Sequence, residues 1–229
     1  MKPVYFSPQQ GMSLISLMVG LMISMLITLT CMVVYKNLIQ VSTDNKTYSG
    51  FDGRISLAEM VLEKSVQSAG FGIADASEED IKVRHNGTQL QLLWRYSDIA
   101  GTAYTCEGFE EITTQDSEGN DFREIRMIRS GGCNETADLT ALSWNVDSLL
   151  ARWKMTDDEI TKYIDDNSSL FSFSVTEGEC TSFGRSLAEE NSEHYILTVK
   201  SPDAAYLFNP SVPVSDLNIC LYNFHPEAI

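Results

Sequence analysis

Apolar residues run almost without relief from Gly11 to Tyr35, and Lys36 is the first charged side chain to interrupt them. Wound as an α-helix at about 1.5 Å per residue, this stretch would be roughly 37 Å long, and about 20 apolar residues suffice to cross a hydrocarbon core. The run exceeds the roughly 7–15 apolar residues of a secretory signal and no small-x-small cleavage site closes it, so it is expected to stay in the mature protein. Past Lys36 the helical period persists but becomes one-sided. Tyr48, Phe51, Ile55, Ala58, Leu62, Val66 and Ala69 follow steps of three and four, which predicts an amphipathic continuation with one packed face. Gly50 and Gly53 each cost about 1 kcal/mol against Ala in a helix interior, so a bend or local weakness is expected near Phe51. Gly70 and Gly72 supply the stop.

Beyond the acidic linker Asp75 to Asp80 the period shortens to two. Ile81 to His85 alternates, Asn86-Gly87 is a strong hairpin signal, and Leu90, Leu92, Trp94 and Tyr96 share one face of the returning strand. A second hairpin is predicted from Cys106 to Cys133 around Ser117-Glu118-Gly119-Asn120, with Phe109 to Ile112 and Ile125 to Ile128 as its arms. From Leu139 the spacing of Leu142, Val146, Leu149, Leu150 and Trp153 reads as a helical stripe. Thr156 and Glu159 resemble a capping box that opens a short helix with Ile160, Tyr163 and Ile164. Strands return at Leu170–Val175, Tyr195–Val199 and Leu217–Tyr222. The predicted class is α+β: a long N-terminal helix, its first half transmembrane and its second half amphipathic, packed on an antiparallel sheet.

The net charge of −16 over 229 residues repels phosphate backbones, so no nucleic-acid partner is expected. Of five cysteines, Cys31 lies in the apolar run, and four cysteines allow three pairings. Cys106 and Cys133 stand equidistant from the Gly119-Asn120 turn and are expected to pair, which leaves Cys180 for Cys220. There is no C-x-x-C, H-E-x-x-H, G-x-S-x-G or phosphate loop, and His85, His194 and His225 are scattered, so no catalytic residue, metal or cofactor is assigned. Asp116, Glu118, Asn120 and Asp121 read as a solvated turn, because Gly119 is misplaced for a calcium loop whose glycine is sixth. Asp157-Asp158-Glu159 reads as charge favouring a helix N-terminus. Asn134-Glu135-Thr136 matches a glycosylation sequon and points to no function.

Met1 to Gln10 is a short polar leader holding Lys2, and it stops at Gly11, followed by Met12-Ser13-Leu14-Ile15-Ser16-Leu17-Met18. This junction resembles the type IV pilin family, whose prepilins carry a leader ending in Gly before a helix that begins much like Phe-Thr-Leu-Ile-Glu-Leu-Met. The resemblance implies cleavage after Gly11 by a prepilin peptidase, N-methylation of Met12 and a C-terminal domain outside the inner membrane. Asp52 to Glu59 and Ser68-Ala69-Gly70-Phe71-Gly72 look like the helix end of PilW-type minor pilins. The implied division is a leader over 1–11, a transmembrane helix over 12–35, its amphipathic continuation over 36–72 and a disulfide-bonded domain over 73–229.

The implied partners are other minor pilins, the major pilin, the inner-membrane assembly platform and a tip adhesin. Where the family usually has Glu this chain has Ser16, which cannot meet the N-terminal ammonium of a neighbouring subunit and so suits a place at or near the filament apex, or in a priming complex held together by helix packing and outer domains. Ser16, Gly20, Ser24 and Thr28 recur every four residues as a stripe of small side chains that lets helices approach closely. A minor pseudopilin of a type II secretion system is the related alternative, and a signal-anchored periplasmic binding module or enzyme is the alternative from another class.

Overall fold

The computed structural model describes residues 14–86, 89–98, 101–154, 169–179, 193–201 and 215–224. Its architecture is α+β. One helix, α1 (Leu14–Val66), precedes eight antiparallel strands among the described residues. The chain divides into two compact units between Tyr48 and Ser49. In the first unit every large hydrophobic side chain from Leu14 to Val41 is exposed. Through its interior this part of the helix bonds its own backbone groups.

In the second unit α1 has an inside. Phe51, Ile55, Ala58, Leu62 and Val66 are buried on one side, as their spacing predicts. They face a five-stranded meander, β1 (Ile81–Asn86), β2 (Gln89–Ser97), β3 (Tyr104–Gln115), β4 (Asp121–Ser130) and β5 (Asn145–Lys154), in the order β1-β2-β3-β4-β5. A second sheet has the order β6-β7-β8 and comprises β6 (Ser172–Glu179), β7 (Glu193–Ser201) and β8 (Ser215–Leu221). Leu92 and Trp94 of β2, Phe109 of β3, Ile125 of β4 and Trp153 of β5 join α1 and Leu197, Val199 and Ile219 in a single core. Phe109 meets Phe171 and Phe173 edge-on at 5.2 and 5.7 Å, which couples the two sheets directly.

The helix passes through Gly50 and Gly53 without interruption and ends at Val66. Ala69 extends the buried line one turn past the last helical residue. Gly70 and Gly72 then take φ of +73° and +72°, the left-handed region that glycine enters freely. The exit is tied to β2: Gly70 N donates to Arg95 O at 2.9 Å, and Ser97 N donates to Phe71 O at 2.7 Å. Asn223, just past β8, donates from Nδ2 to Gln67 O at 3.3 Å and Ala69 O at 2.8 Å, satisfying carbonyls that a helix end leaves open.

Three expectations are corrected here. The stripe of Leu142, Val146, Leu149, Leu150 and Trp153 is no helix, since residues 145–154 form β5. Two register shifts against β4 explain the misreading: Ile125 pairs Ala151 and Arg126 pairs Leu149, which skips Leu150, while Met127 pairs Ser148 and Ile128 pairs Val146, which skips Asp147. Each extra residue lengthens a step of two into three and so imitates a helical period. The acidic linker is also more than a spacer. It ends in a 3₁₀ turn, Glu78–Asp80, with a capping box at Ser77, and Asp80 is buried against Arg95.

The Cys106–Cys133 disulfide is present, with Cα atoms 5.5 Å apart, but the two cysteines are not opposite one another. Cys106 lies across from Ser130, and Cys133 reaches it from beyond the strand, after Gly131-Gly132. Cys220 is disulfide-bonded as well. Cys180, the partner expected for it, falls outside the described residues, as do the turn residue Gly87 and the short helix expected after Thr156. Non-reducing peptide mapping is expected to recover Cys106 with Cys133 and Cys180 with Cys220, and a dominant Cys106–Cys220 peptide would refute that pairing.

Candidate functional site

The exposed part of α1 is a long run of apolar side chains open to solvent. Leu14–Val66 contains a window with mean hydropathy 2.5 and no burial, long and apolar enough to cross a membrane. Threonines along it bond back to the helix's own carbonyls. Thr28 Oγ1 donates to Ser24 O at 2.8 Å, and Thr43 Oγ1 donates to Ile39 O at 3.0 Å, both bonds running back four residues. A hydroxyl paired in this way carries no unmet donor into an apolar medium.

Ser16, Gly20, Ser24 and Thr28 all lie on α1, and a Cβ added to Gly20 would meet nothing within 4 Å. The ridge they form is open for a neighbouring helix to approach. Residues four apart follow a row inclined to the helix axis, so the ridge winds gradually around α1 rather than running straight along it. Cys31 is a free thiol exposed on the same helix. Gly11 and Met12 lie outside the described residues.

No family model, curated protein or solved structure matches this chain. What the chain can do therefore rests on its own residues.

Elsewhere the described residues hold no group of three His, Cys, Asp or Glu side chains that could bind a metal. The acidic β3–β4 turn uses its own carboxylate. Asp116 Oδ2 accepts from Asn120 Nδ2, and Asp116 Oδ1 accepts from the backbone N–H groups of Glu118 and Asn120, each at 2.9 Å. The Asn120 side-chain bond, with the backbone bond beside it, holds Asp116 below the usual carboxylate range. Asp138 is lowered in the same way by the Thr140 hydroxyl and amide.

The outer face of the five-stranded sheet carries a strap that the sequence did not reveal. Residues 131–144 cross it, stapled at Cys133 to Cys106 and anchored by Leu139, which is buried with Leu93 and Ile128. Arg95, braced by Asp80, donates from Nη1 to Asn134 O at 3.1 Å and Ala137 O at 3.0 Å. Arg84 Nη1 donates to Thr140 O at 2.9 Å. Carbonyls recruited by arginines from two strands leave no signal in the spacing of residue types.

Proposed function

We propose that this protein is a minor pilin, a non-enzymatic structural subunit of a type IV pilus that takes part in the initiating or tip complex. One observation carries the reading: a single helix whose first part is uncharged and exposed on every side continues unbroken into a part buried against an antiparallel sheet. That arrangement suits a subunit stored in a bilayer and then packed by its helix among others, because lipid and neighbouring apolar helices can cover the same surface. The leader ending at Gly11 supports processing by a prepilin peptidase. On this reading the chain sits in the inner membrane with its C-terminal domain in the periplasm, beside other minor pilins, the major pilin and the assembly platform.

Intact mass and N-terminal sequencing of membrane-extracted protein test it. The expected product begins with methylated Met12, Gly11→Ala is expected to be processed, and Gly11→Glu is expected to be retained at full length. Full-length Gly11 protein in cells with active peptidase would sink the proposal. Piliation and protein secretion assayed side by side in a deletion strain separate a pilus role from that of a type II pseudopilin, which would lose secretion and keep its pili.

Placement at the apex is tested at two positions of α1. Ser16→Glu is expected to leave piliation within about twofold of the parent. Gly20→Leu, which puts a branched side chain into the open ridge, is expected to reduce assembly through steric separation of helices. Immunogold labelling along the filament shaft, rather than at its end, would rule the apical placement out.

A further inference from the structure

The bulge that leaves Asp147 without a ladder partner lies at the rim of a cleft of about 220 Å³ in the second compact unit. A bulge can re-aim a side chain, and the residue left out of the ladder here carries a carboxylate that lines the cleft. Val61 and Met127 give the cleft an apolar wall, and Glu107, Arg129, Asp147 and Ser148 give it polar groups. Glu107 is fixed in place: it accepts from Tyr96 Oη at 3.1 Å and from Arg129 Nη2 at 2.5 Å, and its side chain is only 14% exposed. Arg129 is braced on that side and keeps 52% of its side chain open to solvent. Burial first, and then the Glu107 charge, hold the Tyr96 hydroxyl above its usual range, so it stays a donor to Glu107.

We propose that this cleft binds a small zwitterion of the α-amino acid class, with its carboxylate on Arg129, its ammonium on Asp147 and the Ser148 hydroxyl, and an aliphatic side chain on the Val61–Met127 wall. The charges select that class. A simple anion would approach Arg129 past two carboxylates, and a simple cation would leave the open side of the guanidinium unused. A zwitterion meets both, and charge-assisted bonds of this kind are the strong ones. The cleft is smaller than the roughly 300–1,000 Å³ of drug-sized sites, which suits a single amino acid. This inference goes beyond the pilin reading and does not depend on it.

Calorimetric titration of the full chain in detergent micelles with L-leucine, 3-methylbutylamine and 4-methylpentanoate tests it, since the last two are leucine without its carboxylate and without its amine. Leucine is expected to bind at one site about tenfold or more tighter than either fragment. Asp147→Asn is expected to weaken leucine about tenfold and to tighten 4-methylpentanoate, which then meets one carboxylate fewer, whereas Arg129→Gln is expected to weaken leucine and 4-methylpentanoate alike. Because Arg129→Gln also removes a partner of Glu107, Ser148→Leu at an exposed strand position is the second probe, expected to block leucine with the thermal midpoint unchanged. Equal binding of all three compounds, no saturable heat with leucine, or leucine binding untouched by Asp147→Asn and Ser148→Leu would overturn the proposal.

Discussion

Replacing Glu111 by Ala is expected to cost the domain about 3–5 kcal/mol, because it takes one carboxylate from a buried guanidinium and the acceptor from two buried backbone N–H groups. Glu111 is wholly buried, with Oε1 accepting from Arg123 Nη1 at 2.7 Å and from Leu170 N at 2.8 Å, and Oε2 accepting from Phe171 N at 3.0 Å. One carboxylate thus links β3 and β4 to the segment that leads into the second sheet. Its loss leaves Arg123 in the core and two backbone N–H groups without an acceptor. For a domain of this size the loss corresponds to a fall of roughly 6–20 °C in Tm. Chemical denaturation of the full chain in detergent measures it, and Glu111→Leu combined with Arg123→Met is expected to recover more than half the loss, since both members of this buried pair are then apolar. A single variant within about 1 kcal/mol of the parent would show that the pair contributes little.

Gly72→Ala is the second large effect, at about 2–4 kcal/mol. The residue sits at φ +72°, where an L side chain costs about 1–2 kcal/mol. A Cβ there would also lie 2.6 Å from Asp98 O and 2.7 Å from Ser97 O, both backbone atoms that cannot rotate away. Gly53→Ala is the matched control. It lies inside α1 with nothing within 4 Å of its added Cβ, so it is expected to stabilise by about 0.4–1 kcal/mol. Thermal melts of the two variants should therefore move in opposite directions, and a shared direction would refute the account of the helix exit.

Much of the fold was legible because local period and burial agree. The stripe from Phe51 to Val66 and the alternation through Leu90, Leu92 and Trp94 each place a buried face where the spacing puts it. β5 was misread because its two skipped residues break the period of two, and a bulge is set by its partner strand as much as by its own sequence. Glu111 gave no warning, since a carboxylate between Glu110 and Ile112 looks like the solvent face of a strand until the backbone of residues 170–171 closes over it. Of the candidate helix, its length, lack of charge and small-residue ridge were readable. The cleft was not, because Val61, Glu107, Arg129 and Asp147 come from four separate elements.

The bonds from Asn223 to Gln67 and Ala69 bridge sequence separations of 156 and 154 residues. Closing such a span costs about 2.4 kcal/mol more than closing a ten-residue loop, and the contact cannot form until Asn223 has been made. Gly70 is held by the same late segment, where Phe224 lies 2.9 Å from the position its Cβ would take. The distal end of α1 is therefore fastened more than 150 residues after it has been made. A chain cut before Asn223 would keep that helix end unfastened, a local opening that proteolysis reads.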